Sequence, residues 1–92
     1  MKILLTKLAE HDLEEIEAYI SLDNSKAAKR TVIRILEAIE FLLQFPNMGR
    51  AGRLTNTREL IISGTPFIAI YQIRYLDIIV LRILHTARKW PQ

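Results

Sequence analysis

The segment Phe67–Arg74, which reads FIAIYQIR, decides the fold. Successive residues of an extended strand point to opposite faces of a sheet, so every second residue shares a face. Here both alternating sets are apolar until Gln72 and Arg74. A strand that is apolar on both faces is typical of the interior of a sheet. The segment therefore predicts a middle strand with a neighbouring strand on each side.

Two further apolar runs flank this strand. Residues 58–63 precede it and residues 78–84 follow it, and both runs are rich in Ile and Leu. Short segments separate the runs, Ser-Gly-Thr-Pro at 63–66 and Tyr-Leu-Asp at 75–77. Three strands with such short connections predict an antiparallel meander.

Two amphipathic helices are predicted before the meander. The first begins near Lys7, where the Thr6 hydroxyl can cap it, and the second spans residues 26–44. Apolar residues recur at helical spacing in both, at Ala9, Leu13, Ile16 and Ile20 in the first and at Ala28, Val32, Ile35, Ile39 and Leu42 in the second. Because only a short turn around residues 23–25 joins the helices, they must lie antiparallel.

The order of these elements predicts an α+β fold. An N-terminal strand at residues 1–7 comes first, and the antiparallel helical hairpin should then pack on one face of a mainly antiparallel sheet. Ninety-two residues support one hydrophobic core, so we expect a single domain over residues 1–92. Pro and Gly make residues 45–53 a loop. Residues 85–92 lack an apolar period and are predicted to form an exposed or partner-dependent tail.

The net charge of +3 is unevenly distributed along the chain. From Arg50 onward, seven Lys and Arg residues stand against two acidic residues, whereas the first 49 residues hold six against eight. The C-terminal half is therefore the candidate anion-binding part, and the N-terminal half is its slightly acidic support.

The chain has no cysteine, so it can form neither disulfides nor thiolate metal sites. This composition is compatible with a reducing cytosol, and we expect a cytoplasmic protein. The apolar stretch at residues 1–7 is far too short for a signal-peptide core or a membrane span. We therefore expect no association with a membrane.

The residue inventory also argues against several kinds of catalytic site. The two histidines lie far apart in the sequence and there is no cysteine, so no metal site is expected. Gly49 and Gly52 follow a helix and do not form a phosphate loop between a strand and a helix. The serines fall at turn or cap positions. We expect no metal and no small-molecule cofactor.

A set of cations on the predicted sheet and tail remains as the candidate binding site. Arginine forks fit phosphate groups and aromatic rings stack on bases, so this set could hold nucleic acid or an acidic peptide. Alternatively, each arginine on its own only makes the open face soluble. The set comprises Arg58, Arg74, Arg82, His85, Arg88 and Lys89, with Tyr71, Tyr75 and Trp90 nearby in the sequence.

Three of these residues have distinct alternatives. Strand alternation places Arg82 on the face of Val80 and Leu84, where a charge needs a partner. It places His85 on the other face, with Leu81 and Ile83, where the imidazole either makes a structural hydrogen bond or takes part in catalysis. Trp90 is either a packing anchor or a recognition residue.

Four motifs, in this order of elements, resemble the RelE/ParE superfamily of toxins across essentially the whole chain. They are Pro46-x-x-Gly49-Arg50, Thr57-Arg58-Glu59-Leu60, Ile70-Tyr71-Gln72-Ile73 and Ile83-Leu84-His85-x-x-Arg88-x-Trp90-Pro91.

The resemblance implies the toxin of a type II toxin–antitoxin system, held inactive by a cognate antitoxin protein. The superfamily has two branches: RelE-like members cleave messenger RNA in the ribosome, and ParE-like members poison DNA gyrase without a known hydrolytic site. Many RelE-like toxins carry an arginine three positions before the tyrosine of the middle strand, where this chain has Ile68. Losing that cation removes stabilisation of the phosphorane transition state. Together with the tail, which resembles ParE-like endings, this favours the ParE branch.

The RelE-like alternative implies an endoribonuclease site. Glu59 would then act as base and His85 as acid, with Arg82 and Arg88 as phosphate clamps. In either branch, the residues expected to bind the target are Arg58, Arg74, Arg82, His85, Arg88 and Trp90. A third reading is a degenerate toxin that only binds an antitoxin or autoregulates on DNA.

Overall fold

The computed structural model describes residues 1–91. In chain order, the elements are β1 (Ile3–Leu5), α1 (Lys7–Ser21), α2 (Ser25–Glu40), a 3-10 turn (Phe41–Leu43), β2 (Arg50–Ala51), β3 (Arg58–Ile61), β4 (Phe67–Arg74) and β5 (Asp77–His85). Two helices thus pack with a mixed five-stranded sheet, which confirms the predicted α+β class.

The sheet has the order β1-β5-β4-β3-β2. Its last three long strands form the antiparallel meander, and β4 lies between β5 and β3 as its two apolar faces predict. The N-terminal strand β1 pairs in parallel with β5 over residues 78–80. Beyond that point, within residues 1–91, no strand covers the outer edge of β5, and α1 lies against it instead.

Side-chain caps fix where both helices begin. The Thr6 hydroxyl accepts a hydrogen bond from the Ala9 N–H, and the Asn24 side chain accepts one from the Ala27 N–H. Thr6 also donates to the Leu81 carbonyl, which ties the start of α1 to β5. The predicted capping role of Thr6 is confirmed, because one hydroxyl can satisfy an orphan N–H of the first turn.

Each face of the sheet carries a buried apolar cluster. The larger cluster lies between the sheet and the helices and contains three of the five predicted inward residues of the second helix, Ile35, Ile39 and Leu42, with Leu60, Ala69, Tyr71, Ile78, Val80 and Ile83. The smaller cluster lies on the opposite face and contains Ile68, Ile70 and Leu84, with Leu81 and Trp90 packed against it. The side chain of Trp90 therefore covers part of the face that the helices leave open.

A β-bulge changes which residues of β5 share a face. Tyr71 pairs with Val80 and Ile70 pairs with Arg82, so Leu81 is an extra residue. Because of this insertion, Val80 faces the helices while Arg82 follows Leu84 on the opposite face. The prediction that Arg82 lies with Val80 is wrong, and so is the prediction that His85 lies with Leu81.

Three other sequence predictions need correction. The second helix ends at Glu40 and continues as the 3-10 turn, four residues before the predicted end. The predicted loop at residues 45–53 contains β2, which pairs with β3. The tail is not wholly exposed, since Trp90 is half-buried; residue 92 of that predicted segment lies outside the described residues. Within residues 1–91, no helix is long and apolar enough to cross a membrane.

Two isoleucines of α2 provide a matched test of this packing. Ile35 is fully buried and Ile33 is 55% exposed, although both lie on the same helix. We expect Ile35→Ala to lower the free energy of unfolding by about 2 to 5 kcal/mol, because it leaves a cavity, and Ile33→Ala to change it by less than about 0.5 kcal/mol. Urea denaturation followed by circular dichroism measures both. Equal losses would show that α2 does not present these faces.

Candidate functional site

Tyr71, at the centre of β4, fixes the loop that follows α2. Its hydroxyl donates to the Pro46 carbonyl at 2.6 Å and accepts from the Gly49 N–H at 2.9 Å. A Cβ atom at position 49 would lie 2.7 Å from the Tyr71 ring, so only glycine fits this close approach. Burial raises the pKa of Tyr71 above its ordinary value, while the Gly49 N–H and the Arg58 charge act to lower it.

Arg58 holds the same loop from β3. Its Nη1 atom donates to the Gly49 carbonyl at 2.8 Å and to the Asn47 carbonyl at 3.2 Å. The residues of the Pro-x-x-Gly-Arg motif and of the middle-strand tyrosine motif therefore meet in space. Their immediate role is structural, because they join the loop to the sheet.

Glu59 is buried on the opposite face of β3, and two arginines donate hydrogen bonds to its carboxylate. Its Oε1 accepts from Arg50 Nη2 at 3.1 Å, and its Oε2 accepts from the Arg53 backbone N–H at 3.1 Å. The Arg53 Nε lies 3.6 Å from Oε2. A carboxylate held this way is a structural anchor for residues 50–53, and it is not open to a substrate.

Asp12 of α1 is the partner that the charge on Arg82 requires. Its carboxylate accepts from Arg82 Nε at 2.8 Å, from Arg82 Nη2 at 3.0 Å and from the Ile83 N–H at 2.9 Å. Both side chains are largely buried, with 8% exposure for Asp12 and 17% for Arg82. The hydrogen bond that Arg82 donates to Asp12 raises the pKa of Arg82 above its ordinary value. Sequence reasoning missed Asp12.

Arg82 and Arg53 together hold Trp90 on the open face. The Arg82 guanidinium carbon lies 5.8 Å from the centre of the Trp90 ring, within range of a cation–π interaction. Arg53 Nη1 donates to the Trp90 carbonyl at 2.9 Å. The buried indole Nε1 has no hydrogen-bond partner within residues 1–91. Trp90 thus acts here as a packing anchor over Ile68 and Ile70.

His85 and Arg88 lie together at the other face of the sheet. The His85 ring meets the Phe67 ring edge-on at 5.7 Å, and its Nδ1 accepts from the Ala87 N–H at 3.0 Å. Both residues line a cavity of about 600 Å³, which also contacts Asp12 and the 64–67 turn. The imidazole therefore makes the structural hydrogen bond that the sequence allowed, while it stays exposed.

The structure divides the candidate cations among three places. Arg58 and Arg74 line one cavity at the end of β4. Arg82 and Trp90 lie on the open face, and His85 and Arg88 lie on the helix side. Within residues 1–91, no three potential metal-ligating side chains lie together.

This geometry defines the class of protein, and comparisons with known proteins agree with it. The family described as "ParE toxin of type II toxin-antitoxin system, parDE" matches residues 3–90. A Sinorhizobium fredii protein named "Putative toxin Y4kP" is 41% identical over 91 residues, which are 99% of this chain and 94% of the relative.

Two solved structures share the fold. One, described as the chromosomal ParDE TA system from P. aeruginosa, has a TM-score of 0.84 and 30% identity, covering 92% of this chain and 95% of that chain. The intact E. coli RelBE toxin–antitoxin complex has a TM-score of 0.60 and 10% identity, covering 94% and 96%. The RelBE likeness shows the fold alone.

The molecule is therefore a toxin-fold protein of the RelE/ParE superfamily. More specifically, the chain belongs to the ParE toxin family of type II toxin–antitoxin systems.

Asp12→Asn tests whether the carboxylate holds Arg82. The amide keeps the shape but removes the charge and turns one acceptor into a donor, so three donors face an unsuitable partner. We expect the free energy of unfolding to fall by roughly 2 to 4 kcal/mol. Glu17→Gln, an exposed change on the same helix, is the control and should cost less than about 0.5 kcal/mol. Urea titration of both variants that gave equal midpoints would contradict the assignment.

Proposed function

We propose that this chain inhibits growth by binding DNA gyrase in the cytoplasm and that a cognate antitoxin neutralises it. On this proposal residues 1–92 act as one toxin domain without catalysis of their own. Family membership supports the ParE mode of action, since ParE-like toxins poison gyrase. The shape and charge of the open sheet face provide the physical argument.

The proposal is carried by one observation: Trp90 covers the apolar cluster on the sheet face that the helices leave open. Ile68 stands where many RelE-like toxins have an arginine, and it is 2% exposed beneath Trp90. Stabilising a phosphorane needs fixed positive charge pointed at the reacting phosphate. An apolar cluster covered by an indole supplies no such charge, which favours binding over cleavage.

The candidate nuclease residues also lie apart. Glu59 pairs with Ile70 and His85 pairs with Phe67, and Ile70 and Phe67 point to opposite faces of β4. A base and an acid on opposite faces cannot act on one ribose phosphate. Glu59 is also engaged by Arg50 and Arg53, and Arg82 by Asp12.

This chain offers an antitoxin a suitable binding surface on its α2–β3 side. Strand β2 covers β3 only at Arg58 and Glu59, so the backbone edge from Leu60 onward is open for a further strand. Exposed apolar side chains lie on the adjoining elements, at Ile33, Phe41, Phe45, Met48 and Ile61. We propose that an antitoxin segment covers this edge and these side chains.

One observation favours the alternative, ribosome-dependent cleavage of messenger RNA. His85 and Arg88 share a cavity and are both exposed, so an acid and a phosphate clamp remain available there. A base would have to come from another residue, because Glu59 lies on the opposite face.

A supercoiling assay tests the proposed target. Purified protein incubated with gyrase and relaxed plasmid is expected to block supercoiling near stoichiometric amounts, and excess antitoxin should restore it. Arg88→Ala should weaken inhibition several-fold because it removes an exposed cation that the sequence analysis assigns to target binding. Arg30→Ala, which removes an exposed charge from α2, should leave both inhibition and the thermal midpoint unchanged.

Mapping of 5′ ends on ribosome-bound message, carried out in parallel, separates the two modes of action. We expect no toxin-dependent ends. Toxin-dependent cuts together with full gyrase activity would contradict the gyrase proposal and support ribosome-dependent cleavage of messenger RNA.

A further inference from the structure

A polar cavity of about 490 Å³ lies at the end of β4 and shares no lining residue with the cavity beside His85. Its polar lining comes from the loop after α2, the loop before β3, and the strands β3 and β4. The polar residues are Asn47, Asn56, Thr57, Arg58, Gln72 and Arg74. The lining thus contains two guanidinium groups and no carboxylate.

Arg58 lies at one side of this cavity, where hydrogen bonds fix the orientation of its guanidinium group. Its Nη1 atom makes both bonds to the Asn47 and Gly49 carbonyls, which leaves Nε and Nη2 to donate to another acceptor. An arginine fixed in this way loses little side-chain entropy when it binds an anion. The backbone bonds orient the fork without neutralising its charge.

Arg74 contributes the second cation from β4. It is exposed, and its Nη2 donates to the Gln72 side chain at 3.0 Å. Asp77 lies opposite Arg74 in the strand register, but its carboxylate accepts from the Lys2 backbone N–H at 3.2 Å. No ion pair to Arg58 or Arg74 occurs within residues 1–91. The positive charge of both residues is therefore available to a ligand.

The chemistry of the lining suits a phosphate group. Guanidinium forks donate paired N–H groups that match phosphate oxygens, and two forks can engage a group that offers several acceptor oxygens. The amides of Asn47 and Asn56 line the same cavity and offer further donors. Exposed cations around a polar recess are the usual means of holding a nucleic-acid backbone.

We propose that this cavity is a phosphate-binding site that takes a phosphodiester group of a nucleic-acid backbone. The site lies apart from Arg88, the cation used to test gyrase inhibition, and it needs no catalysis. It brings together Arg58 and Arg74, which lie 16 positions apart in the sequence.

Direct binding of a short labelled DNA duplex tests the site. Fluorescence anisotropy of the wild-type protein should show binding that weakens steeply between about 50 and 200 mM salt. Arg74→Gln should reduce affinity about tenfold at low salt and lower the slope of log K against log salt by roughly one, as expected for one lost phosphate contact. Arg74 is exposed, so this variant should keep the wild-type thermal midpoint.

Arg30→Gln is the matched control, since it removes the same charge from an exposed position on α2. It should change affinity by less than about twofold and leave the salt slope unaltered. Arg74→Lys, which keeps the charge but loses the fork, should fall between wild type and Arg74→Gln.

Three results would overturn the proposal. The first is no binding by the wild-type protein at low salt, and the second is an equal loss in Arg74→Gln and Arg30→Gln. The third is displacement of the duplex by poly-glutamate at matched charge, which would assign the cavity to an acidic peptide. A single-stranded RNA of the same sequence, run beside the duplex, identifies the source of the phosphate, and preference for either supports the site. The outcome is independent of the gyrase assay.

Discussion

The carboxylate of Asp12 is the constraint on which the arrangement of the sheet depends. Strand β1 ends opposite Val80, so β5 continues with an edge that no strand of the described part of the chain covers. Asp12 takes the Ile83 N–H at that edge and holds the Arg82 guanidinium with two further bonds. A buried carboxylate that receives three donors stabilises the packing of α1 on β5, because each donor would otherwise be left without an acceptor.

This ion pair also determines what the opposite face can do. Arg82 lies against the Trp90 ring, and Arg53, anchored by Glu59, binds the Trp90 carbonyl. Arg82 and Arg53 are thus used to fix the tail over an apolar cluster. The cations of the C-terminal half therefore do not form one continuous anion-binding surface, as the sequence analysis expected, because they divide among three places. Arg58, Arg74 and Arg88 make no ion pair within residues 1–91.

Sequence patterns were sufficient for both helices and the antiparallel meander, but not for strand β2, for the parallel pairing of β1 with β5 or for the bulge. The middle strand begins and ends as its alternation predicts, and Thr6 and Asn24 cap the helices because their side chains reach the first turn. The bulge at Leu81 could not be read from alternation, because a single inserted residue reverses the faces of all that follow.

Asp12 had left a usable signal. It lies three residues after Ala9 and four before Ile16, on the inward stripe of α1, just as Arg82 lies within an apolar strand. Two opposite charges at inward positions are expected to pair.

Quenching of the chain's one tryptophan by acrylamide tests most directly whether Trp90 covers the open face of the sheet. The reference is Trp90→Phe/Tyr75→Trp, since Tyr75 is 92% exposed. The account predicts that Trp90 emission is blue-shifted and several-fold less quenched than in the reference. Equal quenching in the two proteins would contradict it.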